Sequence, residues 1–440
     1  MRLRGLASLQ HRGFRFLLAG QFTSNVGDMI YAVALPWYVL ANHGGVLLLG
    51  TALAAYGVPR TVFIVVGGHA SDRWSPWTSM MCADATRALA VGGLAVAAAT
   101  GKPSAITLIP IAVVLGVGEG VFLPGSFSIL PIMLPDADLQ SGNAMASSGT
   151  QLATLIGPAI GGPLVAIVGA SSAFGLDAAS FVVSAATLLA VGRDRGSHES
   201  RGGTRRSGPA PSYPEDLMGA EPAQMAADLG PDPSSGIRQL LLSERVLQII
   251  LITNAAANLG FGAESEIALP ALARGPFHAG AGGYGALLAT FGAGALFGTL
   301  IAAQIRTPGR PAILGSLAFL VEALVVSAVP YLGGAVGAGC GLAVVGAAEG
   351  LGNVLTITAF QRWAPAAVRG RLMSLVLLTS FGVFPVSVAV GALVVHEFGA
   401  APVFPASGAT LGLAILFALT QGKWREFGAS RAKPRAALES

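Results

Sequence analysis

The sequence predicts an all-α membrane protein of twelve transmembrane helices in two parallel six-helix repeats. Three observations lead there. Hydrophobic residues make up 53% of the 440 positions and charged residues only 11%, whereas a soluble domain carries about 25% charge. So little charge cannot cover a surface that faces water. The apolar residues fall into runs of membrane-spanning length, where about 20 residues are needed to cross the hydrocarbon core. Finally, the two halves of the chain overlay each other on either side of a polar stretch at 193–244.

The runs fall in order. A short basic start (Arg2, Arg4, Arg12, Arg15) precedes an apolar run at 14–40. That run is too long for a cleaved signal peptide and holds Asn25 and Asp28, so it reads as a retained first helix. Runs at 46–71, 78–100, 104–134, 141–168 and 171–191 complete the first six. The stretch 193–244 carries Arg193, Arg195, Arg201, Arg205 and Arg206, then a Pro/Ala/Gly/Ser-rich tract with Glu215, Asp216, Glu221, Asp228 and Asp232. It cannot bury enough apolar surface to fold unaided and reads as a mostly disordered linker. Runs at 245–273, 280–305, 310–331, 334–363, 370–396 and 401–422 make the second six. The expected organisation is a helical bundle at 1–192, the linker at 193–244, a second bundle at 245–422 and a tail at 423–440.

The repeat is visible in single residues. A shift of 230 places Glu119 on Glu349, Pro135 on Pro365, Gly161 on Gly391, Gly169 on Gly399 and Phe174 on Phe404. Asn25, Gly27 and Ala34-Leu35-Pro36 are echoed by Asn258, Gly260 and Ala268-Leu269-Pro270. With six spans per half, both halves enter the membrane with the same polarity, as parallel repeats about an axis along the membrane normal.

Orientation follows from Lys and Arg. Of the 26, Lys102 and Arg274 fall outside, Arg60 and Arg87 fall within spans, and the others fall inside if the N-terminus is inside. This bias places both termini and the linker in the cytoplasm of a cell (cytoplasmic) membrane. The net charge of +4 therefore reports topology, and no reader motif for nucleic acid accompanies it. Cys82 and Cys340 lie in apolar runs, one per half, and read as buried structural thiols. The six histidines lie at or beyond the ends of runs with no metal-ligand spacing, and no cofactor is expected.

Several motifs resemble the major facilitator superfamily over most of the chain. Gly68-His69-Ala70-Ser71-Asp72-Arg73 looks like the start of its loop motif. Phe122-Leu123-Pro124, Leu134-Pro135, Gly142-Asn143-Ala144, Gly157-Pro158-Ala159-Ile160-Gly161-Gly162 and Asp177-Ala178-Ala179-Ser180-Phe181 resemble the branch of macrolide efflux proteins and the enterobactin exporter. Gln361-Arg362, Pro365 and Gly370-Arg371-Leu372-Met373-Ser374 are similar to the matching part of the second half. One departure stands out: Ser75, Pro76 and Trp77 replace the Gly and two basic residues that usually follow Asp-Arg. The resemblance implies the major facilitator fold. It also implies an inner gate at Gly68, Asp72, Arg73, Arg369 and Arg371, and an exporter-type fifth helix at Gly157, Pro158, Gly161 and Gly162. Two plainer readings stand beside these: a solvated Asp-Arg pair worth almost nothing, and ordinary small-residue helix packing.

Charges inside the spans mark the candidate site, because a charge at mid-bilayer is costly and normally faces a cavity or a partner. At about 1.5 Å per residue, Asp28, Arg60, Glu119 and Glu349 all sit about 18–24 Å above the inner boundary. In the resembled fold, spans one, four, seven and ten line the central cavity, so Asp28, Arg60, Glu119, Asn254, Asn258, Glu349 and Asn353 are candidate cavity residues. Asp28 and Arg60 either neutralise each other or take part in coupling. Glu119 and Glu349 have no evident cation nearby, and each either binds a proton or hydrogen-bonds backbone in a tight contact. Asn254 and Asn258 are equally explained as packing between helices. Glu264 and Glu266, near the outer end of their span, read as solvated, Arg87 and Asp84 as snorkelling or pairing near the inner interface, and Glu322 is unassigned.

The expected function is a secondary active transporter in the lipid bilayer, exporting a small-molecule substrate (a drug, siderophore or secondary metabolite) in exchange for protons by alternating access and working as a monomer. A lipid or metabolite carrier without proton coupling is the alternative. A membrane enzyme is disfavoured, since no Gly-x-Ser-x-Gly elbow, His-Glu-x-x-His pair or P-loop occurs. A receptor or scaffold would need a folded soluble module, and none is visible.

Overall fold

The computed structural model describes residues 8–73, 75–199, 241, 244–305, 310–364 and 369–427. Side chains are described for all of these except 65–73, 136, 137, 140, 192–199, 361, 362 and 369–371. The regular elements among them are helical: α1 (Arg12–Ala41), α2 (Gly45–Arg73), α3 (Pro76–Thr100), α4 (Ala105–Met133), α5 (Asp136–Ile167) and α6 (Ala170–Glu199). The second set is α7 (Arg245–Arg274), α8 (Gly280–Gln304), α9 (Pro311–Ala328), α10 (Ala335–Trp363), α11 (Arg369–Phe398), α12 (Val403–Thr420) and a short α13 (Gly422–Glu426). These limits follow the apolar runs closely except at α6, which continues past 191 to Glu199 and so takes the first residues of the stretch expected as a linker into a helix, while 200–240 of that stretch lie outside the described residues.

Local chemistry explains the ends. Ser75 precedes Pro76 at the start of α3 and accepts a hydrogen bond from the Thr78 amide, and Ser104 does the same for Thr107 at the start of α4. Such caps satisfy amides that a helix start leaves without carbonyl partners. Eleven helices are long and apolar enough to cross a membrane, and α1 is the exception among the twelve long ones. Its hydropathy is lowered by Gln21, Thr23, Ser24, Asn25 and Asp28, two of which face a cavity rather than lipid.

α7 departs from the expected continuous helix. Its middle turn, Gly262–Ala268, is π-helical and immediately precedes the turn that holds Pro270. A π turn inserts a residue and changes the direction of the side chains that follow. The short α13 turns back along the bundle, where the Trp424 indole donates to Ser316 of α9 at 3.0 Å and stacks on Phe427. The tail expected from 423 onward therefore begins with packed residues.

Packing repeats from half to half. In the first, α1 packs on α5 and α6, α3 on α4 and α6, and α2 on α4; in the second, α7 packs on α11 and α12, α9 on α10 and α12, and α8 on α10. The halves meet through α2 with α11 and α5 with α8. At the end of the bundle where α1 begins, the buried apolar residues form separate clusters, one around Phe14, Leu17, Met80 and Ile129 and another around Leu247, Ile250, Phe360 and Trp424. Toward the opposite end a single cluster runs through both halves, from Val33 and Leu49 to Val388 and Phe404.

Small residues make that joined end possible. A Cβ placed on Gly162 of α5 would lie 2.9 Å from the Gly285 Cα of α8, and one on Gly50 of α2 would lie 2.3 Å from Ala392 of α11. Helix backbones can approach this closely only where side chains are absent or minimal. The bundle is thus closed at one end and divided at the other. Both cysteines, expected to be buried, are exposed. An apolar run in a membrane helix carries no guarantee of burial in protein, since lipid tails are as apolar as leucine.

Candidate functional site

A cavity of about 410 Å³ lies between the halves. α1 contributes Asn25 and Asp28 to its wall, α2 Tyr56 and Arg60, α3 Arg87, α4 Glu119, α6 Asp177, α7 Asn258 and Glu266, and α11 Ser380, Phe381 and Phe384. Most of the rest is aliphatic, which raises the strength of every charge interaction there.

Arg87 is the centre of the charged wall. Its side chain is 4% exposed, and its Nη2 donates to Asp28 Oδ1 at 2.7 Å and lies 2.9 Å from Glu119 Oε2. Nη1 lies 3.7 Å from Asp84 Oδ1, one helical turn earlier. The guanidinium also stands over the Phe181 ring, 4.0 Å from its centre. One side chain from α3 thereby ties α1, α4 and α6 together. Asp177 of α6 is buried nearby and holds Ser180, whose hydroxyl donates to its Oδ1 at 3.4 Å.

These contacts correct two expectations. Asp28 pairs with Arg87 and not with Arg60, and Glu119 has a cation beside it. Of the two readings for Arg87 and Asp84, the structure has pairing rather than snorkelling: they lie 3.7 Å apart and are buried, at 4% and 0% exposure. Height above the boundary was readable from sequence, but the direction in which each side chain leaves its helix was not. Asp177 was within reach through its motif, and Arg87 through its place in a span.

Arg60 occupies a different setting. Its Nη1 donates to the Tyr56 hydroxyl at 3.2 Å, and its guanidinium lies 4.4 Å from the centre of the Phe381 ring and 5.1 Å from that of Phe384. A residue of the first half is therefore capped by aromatic faces of the second, a cation–π arrangement. Alongside it, the Thr61 hydroxyl donates to the Phe381 carbonyl at 2.8 Å.

The remaining candidates divide. Asn258 lines the cavity. Asn254 donates to Thr379 and Ser380 at 2.8 and 2.9 Å and so joins α7 to α11. Glu349 accepts from the Asn353 amide at 3.3 Å, and neither lines the cavity. Glu266, expected to be solvated, lines the cavity, because the π turn redirects it inward. Gly157 and Gly161 receive Met29 and Ile30 of α1, while Pro158 and Gly162 receive Gly285 of α8. Gly68, Asp72, Arg73, Arg369 and Arg371 lie outside the residues whose side chains are described.

Comparison with known proteins places this architecture. Residues 17–381 match the family model described as Major Facilitator Superfamily. The multidrug efflux pump Tap of Mycobacterium tuberculosis is 29% identical over 201 residues, 43% of this chain and 48% of that protein, so that match spans about half of its length. The enterobactin exporter EntS of Shigella boydii is 26% identical over 413 residues, 92% of this chain and 90% of that protein. Among solved structures, a POT family transporter in complex with 5-aminolevulinic acid superposes with a TM-score of 0.70 at 15% identity, over 93% of this chain and 96% of that one. With two six-helix sets packed alike, a cavity between them and the family model matched over most of its length, the chain belongs to the major facilitator superfamily of membrane transporters.

Proposed function

We propose that the protein exports a small organic compound across the cytoplasmic membrane in exchange for protons, by alternating access to the central cavity. The observation that carries this reading is Arg87, held on the cavity wall by Asp28, Glu119 and Asp84. One guanidinium neutralises one of three carboxylates. A buried charge left without compensation is costly, so the missing positive charge is supplied by protons or by a cationic group of the cargo.

Glu119 is the residue to which we assign the exchanged proton. Protonating it releases one of the contacts that hold α4 to α3, and α4 is packed tightly on α2: a Cβ on Gly116 would come within 2.1 Å of the Tyr56 carbonyl oxygen. α2 in turn carries Arg60 against the rings of α11. The charge state of Glu119 thus bears on the contact between the halves. Asp28 acts as the standing partner of Arg87, and Asn254 and Asn258 keep α7 and α11 together beside the cavity.

With the N-terminus in the cytoplasm, the joined end of the bundle is the outer one, and the structure corresponds to the state open to the cytoplasm. Gly68, Asp72, Arg73, Arg369 and Arg371 would then form contacts that close the inner side in the alternate state. Gly157, Pro158, Gly161 and Gly162 make the smooth ridge on which the halves rock. Residues 193–244 tether the bundles, and a single chain suffices. The names of the two relatives, a multidrug efflux pump and an enterobactin exporter, support export over uptake.

The test uses purified protein in lipid vesicles. A panel of antibiotics, siderophores and lysolipids is first screened for thermal stabilisation. A compound that stabilises is then followed in vesicles with an imposed pH gradient. Accumulation against its own gradient, abolished when the pH gradient is collapsed, is expected; equilibration that ignores the pH gradient would instead make the protein a carrier without proton coupling.

A further inference from the structure

Two buried charges of the first half have charged counterparts in the second: Glu119 is matched by Glu349, and Arg87 is replaced by an acid. Arg87 lies 11 residues beyond Pro76, which begins α3, and Glu322 lies 11 residues beyond Pro311, which begins α9. Packing confirms the register: Gly92 faces Ala178 across α3 and α6, and Ser327, the same distance beyond Glu322, faces Gly408 across α9 and α12. Glu322 therefore stands where the first half carries its guanidinium. Glu349, the repeat mate of Glu119, stands on α10, which packs against α9, and Glu264 stands on the π turn of α7. Among the described residues none of the three is in an ion pair with a cation, and Glu322 Oε2 is buried with no hydrogen-bond partner. The second half thus gathers acids of its own and, at the place of Arg87, has an acid instead of a base.

A second cavity, of about 220 Å³, adjoins this group. Glu264 and Glu266 enter its wall from the π turn, and the rings of Phe261, Tyr284, Phe291 and Phe404 make up much of the rest. Glu266 and Phe261 also line the central cavity, so the two spaces share a wall. Aromatic faces attract cations through their quadrupoles, more strongly where water is excluded. The carboxylates supply the net charge that rings alone lack. Few other oxygens are available, whereas an ion such as Ca²⁺ takes about 6–8 of them. The site suits a cation whose charge is carried on an apolar body.

We propose that this aromatic-walled cavity binds the positively charged end of an amphiphilic organic cation, which supplies to Glu264 and Glu266 the positive charge that Arg87 supplies to the acids of the first half. The proposal rests on the reading of the chain as an exporter of small organic compounds and names the class of compound. The volume of the second cavity admits a compact head, and the central cavity receives the remainder. Because residues of both halves, including Met29 and Pro158, close the site, parting the halves at the outer end opens it to the outside.

Equilibrium binding to the purified full chain in detergent tests this directly. The probes are benzyltrimethylphosphonium, a monovalent cation whose charge sits on a compact head at one end, and benzyldimethylphosphine oxide, a neutral compound of similar shape. Glu264→Gln and Glu266→Gln are expected each to weaken phosphonium binding about tenfold or more, equivalent to about 1.4 kcal/mol, and to leave the neutral compound unaffected. Glu264→Asp, which keeps the charge, is expected to bind within a few-fold of the parent and so controls for folding. Exposed Glu397, altered to Gln, is expected to change nothing. The proposal is overturned if the parent protein does not bind phosphonium, if both Gln variants bind it as the parent does, or if Na⁺ or Ca²⁺ stabilises the protein through these same residues instead. Since no pH gradient enters this assay, failure of proton-coupled export would leave its result standing, and the reverse holds too.

Discussion

Arg87 is the residue on which most of the buried polar structure depends. It lies 2.7, 2.9 and 3.7 Å from the carboxylates of Asp28, Glu119 and Asp84, and removing one partner of a buried ion pair typically costs about 3–5 kcal/mol, because the charge left behind has neither water nor a counter-ion. We expect Arg87→Leu to destabilise the protein by that amount, and Arg87→Leu combined with Asp28→Asn to recover part of the loss. Thermal unfolding in detergent measures both, and strictly additive effects would show that the two side chains are not coupled. This centre was only partly legible in the sequence. Asp28 and Glu119 could be placed at one height from their distances to span ends, yet the cation between them could not be chosen, since Arg60 and Arg87 were both within spans. The structure separates them: Arg87 points to the carboxylates, and Arg60 points across the interface to Phe381 and Phe384. From that placement, Arg60→Gln should leave the Arg87 network intact while loosening the contact of α2 with α11, an effect visible as faster cysteine labelling at outer-end positions; unchanged labelling would mean the rings hold nothing in place.

At the scale of the helix, closure of one end of the bundle depends on Gly162 meeting Gly285. A side chain at Gly285 would overlap the Pro158 carbonyl, 2.5 Å from the new Cβ. Overpacking of this kind costs about 1–3 kcal/mol, and here it falls on one conformation more than the other. Gly285→Val is therefore expected to shift the protein away from the state closed at that end. Spin labels at exposed Val168 and Tyr331, with Cys82 and Cys340 replaced by serine, would report a longer and broader distance across it; an unchanged distribution would contradict the assigned role. Helix positions were legible almost throughout, because runs of apolar residues report crossing length directly and Pro, Gly and Ser mark the ends. The π turn in α7 was not. Its sequence, Gly262-Ala263-Glu264-Ser265-Glu266, reads as a polar outer end, and only the inserted residue turns Glu266 into the cavity. Nor did the pattern of charges give any sign that Glu349, though a repeat mate of Glu119, would stay out of the wall of the central cavity.

For the whole molecule, the two halves behave as repeated bodies that meet along α2 with α11 and α5 with α8. The polar stretch between them has no counterpart elsewhere in the repeat, and a tether needs only to be long enough. Deleting residues 197–233 should leave transport intact at normal membrane abundance; loss of transport would show that the stretch does more than connect. The central claim concerns Glu119, whose contact with Arg87 we hold to be exchanged for a proton in every cycle. In inverted vesicles containing Glu119→Gln, the panel compound that stabilises the parent protein should no longer accumulate in response to a pH gradient, yet should still exchange with the same compound on the other side, since that half-cycle moves no net proton. Full accumulation by Glu119→Gln under the same gradient would contradict the account.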